Sequence, residues 1–240
     1  MISHHLHCLC AACLPGLLFI DNGELPCLKK LTIDDRSITV KLNCPNLESF
    51  KFSGDSAEMI FAHVPKLRKV DILFWVAMHS CLAILDDLTR NVPQLEALSL
   101  CMNTEVILPM SGHVTRSCLR KLDLHVWIPL GFDVLSIIYM LNASPFLEIL
   151  NLKVCLRAGT IERQGGDYGN CSHFRLKEAK IEGFSFRLNT LILVLCLLRK
   201  AVALEHMIIK TINGCSKTKQ TLTSLLQKNI ITTKAQVIIQ

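Results

Sequence analysis

The residues with the greatest chemical capacity stand at the start of the chain. The stretch "MISHHLHCLCAAC" holds His4, His5, His7, Cys8, Cys10 and Cys13. Imidazoles and thiolates are the ligand types of structural zinc, but such sites need two ligand pairs at defined spacing. Cys10 and Cys13 form one C-x-x-C, and no second such pair follows. The same stretch also reads as a degenerate apolar unit built on Leu6, Leu9 and Leu14. At the level of sequence both readings stand. A thioredoxin-like dithiol at Cys10 and Cys13 would want a different fold around it.

The other chemical motifs are weaker. The glycine-containing "RQGGDYGN" (163–170) lacks the lysine-bearing pattern of a phosphate loop. Neither a G-x-S-x-G nucleophile elbow nor an H-E-x-x-H metal motif occurs. Asp34-Asp35 and Asp86-Asp87 read as solvated turn or helix positions rather than acid–base pairs. The sequence therefore predicts no catalytic residue, no metal ligand and no cofactor: a protein that is not an enzyme.

Composition narrows the class further. Half of the 240 residues are apolar, 19% are charged, and the formal net charge is +6. That is apolar enough for a large core and too weakly basic for a dedicated nucleic-acid binder. The most apolar run, Leu191–Leu198, is followed at once by Arg199 and Lys200. It falls short of the ~20 residues a membrane-spanning helix needs. No Lys or Arg precedes the apolar N-terminal stretch, as a secretory signal would require. The twelve cysteines are scattered from Cys8 to Cys215. They read as mostly buried free thiols of a reducing compartment, cytoplasm or nucleus.

The elements that must position any functional residue come from internal repetition. Eight stretches share apolar-x-x-apolar-x-apolar: "PCLKKLTID", "PNLESFKFS", "PKLRKVDIL", "PQLEALSLC", "SCLRKLDLH", "PFLEILNLK", "FRLKEAKIE" and "VALEHMIIK". The first apolar position is always leucine: Leu28, Leu47, Leu67, Leu95, Leu119, Leu147, Leu176 and Leu204. The intervals are 19, 20, 28, 24, 28, 29 and 28 residues. Five of the eight prolines, Pro26, Pro45, Pro65, Pro93 and Pro145, fall two residues before that leucine. Proline ends a preceding helix and favours an extended run into a strand. Helical patterns lie between, at 78–91, 132–144 and 187–201. Period and motif predict an α/β leucine-rich-repeat solenoid, with a parallel β-sheet on the concave side and helices on the convex side.

The repeats are irregular. The Asn or Cys of the usual repeat, three positions after the last apolar strand residue, occurs only at Asn103 and Cys155; elsewhere that position holds Arg36, Asp55, Trp75, Trp127, Phe184 and Ile212. The segment 156–174 reads as a loop. The expected organisation is a degenerate or frayed segment over 1–24, irregular repeats over 25–212, and a capping helix and strand over 213–240. In that cap, Leu222, Leu225 and Leu226 point inward and 235–239 forms a last strand.

Alternate strand positions face away from the core. The face they make is mixed in charge, which suits a protein or peptide more than phosphates. The candidate partner-binding residues on it are Lys69, Asp71, Ser99, Lys121, Asp123, His125, Asn151, Lys153 and Lys180. No nucleic-acid or membrane partner is expected.

The ordered run "CPNLESFKFSGD" (44–55), "ASPFLEILNLKV" (143–154), "LKEAKIEGFS" (176–185) and "AVALEHMIIK" (201–210), then helix and strand, resembles plant F-box/LRR-repeat proteins with an FBD-type tail. The likeness covers about residues 25–240, FBD-like from about 173. It implies the substrate-binding repeat region of an SCF-type ubiquitin-ligase receptor. Residues 1–24 do not match an F-box, so a Skp adaptor is implied only if an F-box is supplied upstream. The alternative is a repeat fragment of an intracellular immune receptor or another scaffold.

Overall fold

The computed structural model describes residues 8–12, 16–21, 25–35, 37–74, 87–88, 90–103, 118–128, 138, 141–142, 144–156, 173–184, 188–211, 220–224, 226 and 234–240. A hydrogen-bonded turn opens six of the eight repeats. The amide of Leu28 donates to the Leu25 carbonyl at 3.1 Å; Leu47, Leu67, Leu95, Leu147 and Leu204 donate likewise to Cys44, Val64, Val92, Ser144 and Ala201. Pro26, Pro45, Pro65, Pro93 and Pro145 hold the second place of such turns, where a φ near −65° is required. The prolines are thus corners of turns rather than the start of an extended run. Neighbouring repeats are joined through the residue after the leucine: Glu48 and Ser49 both donate to the Lys29 carbonyl, and Glu148 and Ile149 both donate to that of Arg120.

The chain forms two compact units, Met1–Asn103 with Arg116–Leu119, and Thr104–Thr115 with Arg120–Gln240. The strands of the first are β1 (Cys8–Ala12), β2 (Gly16–Asp21), β3 (Lys30–Asp34), β4 (Ser37–Asn43), β5 (Ser49–Gly54), β6 (Ser56–His63), β7 (Lys69–Phe74) and β8 (Ala97–Asn103). Its main sheet runs β1-β3-β5-β7-β8, parallel and in register throughout. Leu31, Ile33, Phe50, Phe52, Val70, Ile72, Leu98 and Leu100 point into the core, and the residues between them face out.

The early repeats correct the expectation of helices behind the sheet. There the returning segments are strands, and β2, β4 and β6 form a second parallel sheet. The reason is length. The intervals of 19 and 20 residues leave too few residues for two turns and a crossover helix, which takes a dozen or more. A strand rises about 3.3 Å per residue and covers the return with fewer. Phe50 of β5 meets Phe61 of β6 edge to face, with ring centres 5.9 Å apart. Asp87, read from sequence as solvated, accepts the Phe61 amide of edge strand β6 at 2.9 Å.

The second unit contains β9 (Lys121–Ile128), β10 (Ile149–Leu156), β11 (Glu178–Phe184), helix α1 (Leu188–Lys200), β12 (His206–Thr211) and β13 (Gln236–Ile239). Its strands lie side by side in that order, all parallel. Helix α1 matches the expected 187–201; it buries Leu193, Val194, Leu197 and Leu198 and ends on Arg199 and Lys200, which favour the negative end of a helix dipole. Of the expected cap, 220–224 and 226 are helical with Leu222 and Leu226 buried, while the Leu225 side chain lies outside the described residues. Of the helices expected over 78–91 and 132–144, residues 87–88, 90–91, 138 and 141–142 are described and helical. The loop residues 157–172, the trio His4, His5 and His7, and Cys13 lie outside the described residues. Among the described residues no helix is long and apolar enough to cross a membrane.

Candidate partner-binding face

Parallel pairing in register sets the outward residues of the second unit in rows. One row runs Asp123, Asn151, Lys180 and Ile208; the next runs His125, Lys153, Glu182 and Lys210. Asp123 is the hub of the first row: Asn151 Nδ2 donates to its carboxylate, and Lys121 Nζ pairs with it at 3.2 Å. In the second row Glu182 lies between Lys180 at 2.7 Å and Lys210 at 3.2 Å. The hydrogen bond from Lys180, reinforced by Lys210, holds the Glu182 carboxyl below its ordinary range against a smaller opposing effect of burial.

A bulge aims this carboxylate. The β11–β12 register shifts between Glu182 and Phe184, and Gly183 takes φ +79° there. The Gly183 backbone presses against the Val154 carbonyl so closely that a Cβ would stand 1.9 Å from its oxygen. Only glycine combines that conformation with that approach. Phe184 then turns fully into the core while Glu182 stays on the open face.

His125 joins this face to an aromatic. Its ring lies 5.5 Å from that of Trp127, and its Nε2 lies 3.3 Å from Cys155 Sγ. Burial, and then the nearby Lys153 charge, lower the His125 pKa below 6.5, with Glu182 opposing. Trp127 is 44% exposed, an unusual position for so large an apolar group. Cys155 pairs with Trp127 in register inside β10, not in the turn where the Asn/Cys position of a regular repeat would stand.

The structure thus brings Lys121, Asp123, His125, Asn151, Lys153 and Lys180 together on the second unit. Lys69, Asp71 and Ser99 lie on the first, where Asp71 pairs with Ser99 in register and all three face outward. Sequence reasoning left Trp127, Cys155, Glu182 and Lys210 off the candidate set. The expectation that most cysteines are buried is also corrected. Of the cysteines whose side chains are described only Cys44 is fully buried, and Cys8 and Cys118 are exposed. Among the described residues no three His, Cys, Asp or Glu side chains converge as metal ligands.

The family model described as At1g61320/AtMIF1, LRR domain, matches residues 22–239. The chain belongs to that family. It is a plant leucine-rich-repeat domain, and the match spans both units. Such domains are typically non-enzymatic modules of protein interaction. No curated protein and no solved structure matches the chain.

One further pattern of this LRR domain went unread in the sequence. The residue after each motif leucine alternates in charge: Lys29, Glu48, Arg68, Glu96, Arg120, Glu148, Lys177 and Glu205. The structure pairs Lys29 with Glu48 at 3.2 Å, Arg68 with Glu96 at 2.8 Å and Arg120 with Glu148 at 3.3 Å. Each pair is exposed and weak by itself, but a repeat slipped by one unit would face like charges.

Proposed function

We propose that this LRR domain captures a protein partner on the open face of its strands, through the residues around Asp123, His125 and Glu182. The observation that carries the reading is the exposed Trp127, held by His125 beside an ordered set of charged side chains. Interface hot spots are enriched in such aromatics, and a hydrogen-bonded charge set confers specificity on the contact. The partner is a substrate of a ubiquitin ligase, and the domain is the recognition half of an F-box-type receptor of cytosol or nucleus. The order of the four motifs from 44–55 to 201–210 supports this assignment.

The test is affinity capture from plant extract with the wild-type chain and with an Asp123→Lys, Lys121→Glu variant, read by quantitative mass spectrometry. Both side chains are partly exposed, so the melting temperature should stay within about 2 °C of wild type while the captured proteins are lost. Identical capture by both baits contradicts a binding role for this face. Ubiquitination of the captured protein, on fusing an F-box to the chain, tests the ligase assignment separately.

A further inference from the structure

Most charged groups on the open face of β9–β12 already satisfy one another. Lys121 is matched by Asp123, and Lys180 and Lys210 by Glu182. Lys153 differs. It stands in register between His125 and Glu182, is exposed, and makes no ion pair with a described residue. Burial, and then the Lys153 charge, lower the pKa of its neighbour His125 and so disfavour a second cation beside it. One outward position further along β9 stands the exposed Trp127.

An ammonium with no ion-pair partner among the described residues and an exposed indole are therefore adjacent. Strand spacing of about 4.8 Å and a rise of about 3.3 Å per residue put the Cα atoms of Lys153 and Trp127 about 8 Å apart. In an extended peptide, side chains two residues apart project to the same side at about 6.5–7 Å. The two spacings are compatible.

We propose that Trp127 and Lys153 receive an extended acidic peptide segment of the partner, with an aromatic or aliphatic side chain against the indole and a carboxylate two residues away on the ammonium. The proposal rests on the reading that the open face binds protein, and adds the residues and the chemistry. A basic segment would meet the Lys153 charge unfavourably. A nucleic acid would need several unmatched cations in a row, whereas Lys121, Lys180 and Lys210 are already bound to carboxylates.

A random dodecapeptide display library panned on the intact chain tests this. Enriched peptides should carry Asp or Glu two residues from an aromatic or aliphatic residue. Lys153→Glu and Trp127→Ala should each weaken a selected peptide about tenfold. Changing that peptide's acidic residue to Lys should restore binding to the Lys153→Glu chain. Lys153→Gln, a milder change, should weaken binding in the same direction, so the test survives if the reversal variant folds poorly. Failure to enrich any peptide, enrichment without the acidic residue, or indifference to the charge swap overturns the proposal. Peptides lost on the Asp123→Lys, Lys121→Glu chain but indifferent to Lys153 and Trp127 variants would leave the broader reading standing and remove this one. Peptides indifferent to every face variant would remove both.

Discussion

Gly183→Ala tests whether the β11 bulge is what holds Glu182 on the open face and Phe184 in the core. Two costs follow from the geometry. At φ +79° an alanine pays the left-handed penalty of roughly 1–2 kcal/mol. Its Cβ would also stand 1.9 Å from the Val154 carbonyl oxygen, which is backbone of the neighbouring strand and cannot swing aside. Forcing β10 and β11 apart to admit a methyl costs a further ~1–3 kcal/mol. The total is on the order of 2–5 kcal/mol, and at about 2–4 °C per kcal/mol for a chain of this size the melting temperature should fall by about 4–20 °C. In a stack of repeats the damage should be local. Amide exchange should speed up most across 149–156 and 178–184. A melting temperature within about 2 °C of wild type, with unchanged exchange in those two strands, would refute the reasoning.

Other consequences concern pH and the charge ladder. His173 is 3% exposed, and neither ring nitrogen has a close hydrogen-bond partner among the described residues. Burial lowers its pKa below 6.5, and the Leu141 backbone carbonyl offsets part of that shift. The folded state therefore keeps the ring neutral where the unfolded chain accepts a proton. Stability should be lost as pH falls below about 6.5 and should level off below the folded value, with His125 adding in the same sense. Thermal melts from about pH 7.5 to about pH 5 should show a smaller loss in His173→Leu than in wild type; parallel curves would contradict this. Glu148→Lys sets like charges against Arg120 and should cost about 0.5–1 kcal/mol, less in about 1 M salt. The swap Arg120→Glu, Glu148→Arg should recover most of that loss, and a swap as unstable as the single variant would count against the ladder.

The repeat architecture was readable because one residue type marks it. Each motif leucine lies two residues before a strand, from β3 after Leu28 to β12 after Leu204, and six of the eight are wholly inaccessible to solvent. The outward positions followed from strand alternation alone. The second sheet was missed for a physical reason. "SITVKLN" alternates as a strand should, but a repeat framework supplies helices by default, and only the short intervals contradict it. The Gly183 bulge carries no local signal beyond a glycine near a strand end. The charge ladder is invisible in any window shorter than two repeats. Trp127 stands at the motif's Asn/Cys position, yet it is a surface group, because strand β9 runs further than the motif suggests.

The central claim is that a protein partner contacts the open face of the second unit around Trp127. Site-specific photo-crosslinking tests it most directly. A benzophenone amino acid placed at position 127 should join the chain to a discrete partner in plant extract, and one at the still more exposed Val202, in the turn before β12, should not. A crosslink from position 202 with none from position 127 would place recognition elsewhere and contradict the account.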